Sequence, residues 1–205
     1  MQRGKFITLE GIDGAGKSTH LGWIADQVKE GGHDVLMTRE PGGTPLAEEL
    51  REMLLRKSMH ADTEVLLMFA ARAEHVRTKI EPALAAGTWV ISDRFTDATY
   101  AYQCGGRRVA TDRIAILESW VHGDLQPDAT FLFDAPLDLA RARVAQGTPD
   151  PDKFEREQAE FFGRVRDMYL NRAASSNGRT RVIDSSQPIA NIREALAGHL
   201  AGLLK

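Results

Sequence analysis

Lys5-Phe6-Ile7-Thr8-Leu9-Glu10-Gly11-Ile12-Asp13-Gly14-Ala15-Gly16-Lys17-Ser18 opens on a short apolar run and ends on a glycine-rich turn with a Lys-Ser pair. Phe6 to Leu9 reads as a strand, and the residues after Ser18 take helical spacing to about Glu30. The eight residues Gly11–Ser18 match G-x-x-x-x-G-K-[ST] in full, with the strand before and the helix after that this pattern requires. Glycines at these spacings let successive backbone N–H groups turn inward around phosphate oxygens, and the helix N-terminus adds positive potential. Gly11, Gly14, Ala15, Gly16 and Thr19 are therefore candidate cradle residues, Lys17 a reach to the β- and γ-phosphates, and Ser18 a Mg²⁺ ligand.

Outward from this loop, short apolar runs alternate with helical patterns. Strands are expected at Lys5–Glu10, Asp34–Thr38, Thr88–Ser92, Ala129–Asp134 and Thr180–Asp184. Helices are expected at Lys17–Glu30, Pro45–Arg56, Thr63–Ala85, Thr96–Gln103, Thr111–Val121, Leu137–Ala145, Phe154–Arg172 and Ile189–Leu204. Near-continuous apolar strands joined by helical crossovers predict an α/β fold with a five-stranded parallel sheet covered on both faces. No linker or repeat divides the chain, so residues 1–205 read as one domain. Gly147–Asp152, with two prolines, is either a plain surface connection or part of a lid, bounded at about residues 144–155. Asp93, ending the third strand, faces the ligand crevice of an open parallel sheet; it is a candidate magnesium-site or acceptor-side carboxylate, and Arg94 beside it can bridge two phosphates.

Composition narrows the function. With 205 residues, 26 Lys+Arg and 29 Asp+Glu, the net charge is −3, which argues against a nucleic-acid coat or a polybasic membrane binder. The 42% hydrophobic and 27% charged content is that of a folded domain. No apolar run reaches the roughly 18 residues of a membrane span, and the single Cys104 forms neither an internal disulfide nor a thiolate zinc site. A cytoplasmic protein is expected. The six histidines show no paired ligand spacing and read as surface or boundary residues. There is no N-K-x-D guanine reader and no D-x-x-G switch after the third strand, and the length is small for a motor. A small kinase is the reading left.

At this point Phe6–Ser18, Thr38–Gly43 (TREPGG), Asp93-Arg94-Phe95, Ala101-Tyr102-Gln103 and Asp184–Pro188 (DSSQP) together resemble the bacterial thymidylate kinases, in order and spacing, over nearly the whole chain. The resemblance implies a P-loop nucleoside-monophosphate kinase fold, transfer of the ATP γ-phosphoryl group to dTMP to give dTDP, a Mg²⁺ requirement and a homodimer. It also implies residue roles. Asp13 would order the acceptor phosphate, and Arg39 and Arg94 would hold it. Phe69 would stack on thymine, although periodicity alone puts it in the core; Arg72 would hydrogen-bond the base edge. Tyr102 would lie against the sugar and Gln103 would read the base. Arg141 and Arg143 would act on the ATP side, and Asp184–Gln187, with Ser186 and Gln187, would border adenine.

The sequence departs from the family pattern at two places. Relatives with an acidic phosphate loop carry lid arginines, whereas Arg143–Lys153 has none inside the loop proper, so Lys153 or Arg143 is expected to close over the phosphates. Ala98 replaces a frequent polar residue, and Thr99 is expected to supply the hydroxyl. Other readings stay open: another nucleoside-monophosphate kinase; a deoxynucleoside kinase, which a TREPGG arginine dedicated to an acceptor phosphate argues against; and a catalytically silent nucleotide-binding regulator.

Overall fold

The computed structural model describes residues 3–147, 152–155 and 157–204. Five strands, β1 (Phe6–Glu10), β2 (Val35–Arg39), β3 (Trp89–Asp93), β4 (Ala129–Asp134) and β5 (Thr180–Asp184), form one parallel sheet in the order β2-β3-β1-β4-β5. Each pairing is parallel. β1 sits at the centre, and its residues Phe6, Ile7 and Leu9 are fully buried, as a strand covered on both faces must be. The helices are α1 (Lys17–Glu30), α2 (Pro45–Arg56), α3 (Ala61–His75), α4 (Glu81–Ala85), α5 (Thr96–Thr99), α6 (Thr111–Val121), α7 (Leu137–Gly147), α8 (Ala159–Ala174) and α9 (Ile189–Leu203). The expected α/β architecture is thus present.

Register assembles the site. Leu9 pairs with Asp93, and Asp93 with Arg39, so the carboxyl ends of β1, β2 and β3 open together beside the glycine loop. The strand order reverses around β1, which leaves a crevice at this edge.

Three local expectations are corrected. The single helix expected at Thr63–Ala85 is interrupted by a π-helical turn at Val76–Ile80 between α3 and α4. That expected at Thr96–Gln103 becomes α5 followed by a π-helical stretch, Tyr100–Gly106. Here Gly106 lets the stretch press on α8, since a Cβ would lie 2.4 Å from the Phe161 ring. π turns insert one residue per turn and turn side chains inward that an α-helix would present elsewhere; periodicity cannot reveal them. The last expected helix but one starts at Ala159 rather than Phe154, because Asp152 Oδ1 accepts the backbone N–H groups of Phe154 and Glu155, and such a turn competes with helix. Residues 148–151 of the expected lid lie outside the described residues.

The histidines also differ from expectation: His20, His75 and His122 are buried. His75 bonds Thr38 Oγ1 and Glu40, and His122 bonds Thr96 Oγ1 and the Leu125 carbonyl, so both rings have partners at each nitrogen. His20 stacks on Phe133. No helix among the described residues is long and apolar enough to cross a membrane.

Candidate functional site

The glycine loop connects β1 to α1. Gly11, Gly14 and Gly16 all have positive φ, and at Gly14 a Cβ would lie 2.1 Å from the Ala140 carbonyl oxygen, so only glycine fits there. Gly16 caps α1 with no side chain occupying the helix N-terminus, which leaves the first amides free to meet an anion. Lys17 Nζ donates to the carbonyls of Gly11 and Ile12 at 2.8 and 3.0 Å. Burial and then Arg94 push the Lys17 ammonium below its ordinary value; a phosphate brought to it would favour the charged form again. Ser18 and Thr19 are exposed at the mouth of a polar cleft also lined by Arg39, Arg51, Asp93, Arg94 and Arg143.

A second cavity adjoins this cleft and is lined by Met68, Arg72, Thr99, Tyr102, Gln103 and Phe154 among others. Asp13, Glu40, Arg51 and Arg94 line both spaces. At their junction Arg94 Nη2 donates to Asp13 Oδ1 at 2.5 Å and to Tyr102 Oη at 3.1 Å, and Tyr102 donates to Asp13 Oδ2 at 2.9 Å. Burial by itself would raise the Asp13 carboxyl; Arg94 and Lys17 outweigh it and hold the group below the usual carboxylate range. Arg94 has φ 72°, an uncommon conformation for a side chain with a Cβ. Its backbone is pinned there: its N–H bonds the Leu9 carbonyl, and its own carbonyl accepts Ser92 Oγ.

Arg72 is buried beneath the second cavity. Its Nε donates to Glu40 at 2.7 Å and its Nη2 to Thr99 Oγ1 at 3.0 Å, while Nη1 has no partner among the described residues. A buried guanidinium N–H without an acceptor is costly, and Arg72 is one of the residues that line the cavity. Asp93 Oδ1 is likewise buried without a partner, on the phosphate side. Oxygen donors in that setting fit a hydrated divalent cation. Among the described residues no three His, Cys, Asp or Glu side chains gather around one point, so Ser18, Asp93 and substrate phosphate oxygens make up the donor set on offer.

The remaining expected residues separate. Arg39 lines the phosphate cleft with its guanidinium 2.9 Å from Glu48. Arg143 lines it too, donating to the Gly14 and Ser185 carbonyls and so tying the loop after β5 to the glycine loop. Arg141 instead lines a side pocket between α7 and α8. Ser186 and Gln187 are exposed and bonded to Asp184 in a tight turn, away from the two spaces. Two placements are corrected. Phe69 is 2% exposed, packs with Val65, Tyr100 and Ile114, and does not line the cavity; its neighbour Met68 does. Met68 and Arg72 are four apart on α3 and share the face that lines the cavity, so a polarisable thioether offers the wall in place of a ring. Lys153 does not lie over the phosphates: its ammonium is 2.7 Å from the Glu64 carboxylate and is not part of the cleft lining.

Arg51, Glu40 and Glu155 line these spaces although the motifs assign them no role. Arg51 had a signal, since positions 47, 51 and 54 share one face of α2 and both Ala47 and Leu54 are buried. Glu155 lines the phosphate cleft from a segment distant in sequence, with no local pattern to announce it.

Residues 9–196 match the family described as Thymidylate kinase. The chain is 60% identical over 201 residues to the thymidylate kinase of Cupriavidus metallidurans, covering 98% of this chain and 100% of that one. It is 59% identical over 201 residues to the thymidylate kinase of Bordetella petrii, at 98% and 97% coverage. The crystal structure of thymidylate kinase from Ehrlichia chaffeensis superposes with a TM-score of 0.79 at 34% identity, covering 97% of this chain and 99% of that chain.

Proposed function

The chain belongs to the thymidylate kinase family and phosphorylates dTMP to dTDP with ATP as donor, and from that premise we propose how its residues divide the work. The observation that carries this reading is the junction: Asp13, Arg51 and Arg94 line both the second cavity and the phosphate cleft. The dTMP base enters the cavity beside Met68, where the spare Arg72 Nη1 donates to a base carbonyl and Gln103 reads the adjoining edge. Tyr102 walls the sugar. The 5′-phosphate then ends at Arg94 and Arg51, facing the ATP γ-phosphate held by the glycine loop.

Donor and acceptor are both anions, so the main obstacle is bringing them into contact. Arg39, Arg51, Arg94 and Lys17 supply preorganised positive charge that offsets this repulsion and stabilises the charge spread over the transferring group. An oxygen of the dTMP phosphate attacks the γ-phosphorus in line; the bond to the β–γ bridging oxygen breaks, and ADP leaves with its electron pair. Asp13 is ionised and bonded by Arg94, so it orients the guanidinium rather than taking a proton. Ser18 and the unpaired Asp93 Oδ1, the latter through water, would hold a Mg²⁺ that neutralises phosphate charge when bound.

The whole chain acts as one kinase domain, and we place it in the cytoplasm. It pairs as a homodimer through Leu66 on α3 and Ile116 and Trp120 on α6, which are 57, 68 and 79% exposed; large apolar side chains at i and i+4 on one helix face call for a partner. A coupled assay with ATP, Mg²⁺ and dTMP, dUMP, AMP, CMP or thymidine tests the site. Strong turnover of dTMP is expected, with kcat falling about 100-fold in Asp13→Asn. Turnover of thymidine without dTMP, or a wild-type kcat in Asp13→Asn, would refute it.

A further inference from the structure

Glu64, in the first turn of α3, is 2% exposed, and the phosphoryl transfer described above makes no use of it. Three groups from two other parts of the chain converge on its carboxylate. Gln103 Nε2 donates to Oε1 at 2.9 Å, Lys153 Nζ lies 2.7 Å from Oε2, and Arg107 Nε lies 3.5 Å from Oε1. Lys153 is itself held in place, its backbone N–H on the Leu55 carbonyl and its ammonium also on the Lys57 carbonyl. Its neighbours Asp152 and Phe154 line the cavity.

A primary amide has a donor end and an acceptor end, and the two are alike in shape. An ionised carboxylate only accepts. While Glu64 is charged, the Gln103 NH₂ must therefore face it, leaving the carbonyl oxygen of this buried amide to meet whatever enters the cavity. A carbonyl at that position welcomes a base edge that presents N–H. Thymine and uracil carry a hydrogen on N3; cytosine carries a lone pair there. The spare N–H of Arg72 sharpens the match, since it wants a base carbonyl and cytosine presents an amino group instead. An amide at position 64 would donate as readily as accept, and the Gln103 amide would be free to turn over. Lys153 and Arg107 flank the Glu64 carboxylate at 2.7 and 3.5 Å, so it is ion-paired as well as bonded to Gln103.

We propose that Glu64 is a positioning residue for pyrimidine selection: ion-paired with Lys153 and Arg107, it fixes the Gln103 amide with its carbonyl toward the acceptor base, so that an N3–H base is accepted and cytosine is refused. Lys153 thereby serves the acceptor side rather than the ATP phosphates. The inference rests on the cavity being the dTMP site.

The test compares kcat/KM for dTMP and dCMP in the wild type, Glu64→Gln and Lys153→Met, with calorimetric titration of dTMP in the absence of ATP. In Glu64→Gln the dTMP-to-dCMP ratio is expected to fall at least about 10-fold, because the unpaired-group penalty that rejects cytosine is relaxed. The KM for ATP stays at the wild-type value. A fall in both acceptors alike, with the ratio intact, would mean that Glu64 only supports the fold and would overturn the proposal. If Glu64→Gln does not fold, Lys153→Met decides: a ratio lowered about 3-fold with ATP KM unchanged supports the proposal, and a raised ATP KM with an intact ratio overturns it. Wild-type protein that binds no dTMP in the titration would refute the cavity assignment itself; normal binding with unchanged ratios would refute the role of Glu64 alone.

Discussion

Glu10 closes β1 directly beneath the arginine that joins the two substrate spaces. It is 1% exposed; Oε1 accepts the Phe95 backbone N–H at 2.7 Å, and Oε2 accepts the Tyr169 hydroxyl at 2.9 Å. Tyr169 in turn accepts from Arg94 Nη1 at 3.2 Å. Burial, with repulsion from Asp97 added to it, pushes the Glu10 carboxyl from its ordinary 4.5 up to about 8, despite Arg94 nearby. A carboxyl raised in the folded state binds its proton more tightly there than in the unfolded chain. Its contribution to stability is fully present below pH 4.5 and is lost as pH rises through about 8. Between pH 6 and 8.5 the unfolded chain has already released this proton, while the folded protein retains it over nearly two pH units. At about 1.4 kcal/mol per unit, the Glu10 contribution should drop by roughly 3 kcal/mol across that window. His20, His122 and His199, each lowered by burial, act in the opposite sense near pH 6, in wild type and Glu10→Gln alike. Cys104, whose thiol burial pushes up to about 11, contributes mainly above it. Glu10→Gln keeps an acceptor for the Phe95 N–H and a polar partner for Tyr169 but cannot ionise. Urea unfolding of both proteins at half-unit pH steps measures the difference. Relative to wild type, Glu10→Gln should gain most of that roughly 3 kcal/mol between pH 6 and 8.5, and its stability at pH 6 should be close to wild type. Parallel curves would show that Glu10 is ionised in the folded protein and refute the reasoning.

Arg72→Met removes the partner of a buried carboxylate, for the Arg72 and Glu40 side chains are each 3% exposed. A loss of about 3–5 kcal/mol is expected, lowering Tm by about 6–20 °C in a thermal melt, and Arg72→Met combined with Glu40→Gln should regain much of it. Trp120→Asp places a charge on the exposed apolar face of α6; if the proposed dimer forms through this face, sedimentation velocity should find dimer for the wild type and monomer for the variant, with an unchanged far-ultraviolet spectrum. A dimer that persists would locate the interface elsewhere.

Much of this protein is legible along the chain because its information is local. The glycine loop declares itself through Gly11, Gly14 and Gly16, since positive φ and close backbone approach permit little else. Five strands and most helices follow from apolar spacing, and their bounds agree with the structure to within a few residues. What spacing cannot express is direction. Phe69 and Met68 differ by one step along α3, and only the packing of Tyr100 and Ile114 against that helix decides that the ring goes inward and the thioether toward the cavity. The π-helical stretch at Tyr100–Gly106 packs closely on α8 at Gly106, a contact between segments far apart in sequence that apolar spacing does not express. Buried charge is the other blind spot. Glu64 and Lys153 are 89 residues apart, and Glu10 and Tyr169 are 159 apart; a sequence shows the charges but not which of them will share a low-dielectric interior. The sequence by itself therefore determined the architecture and the phosphate chemistry, which rest on backbone conformation and short-range spacing. Only the tertiary structure decided which carboxylate orients which amide or arginine, because those pairings exist only once distant segments have excluded water from between them.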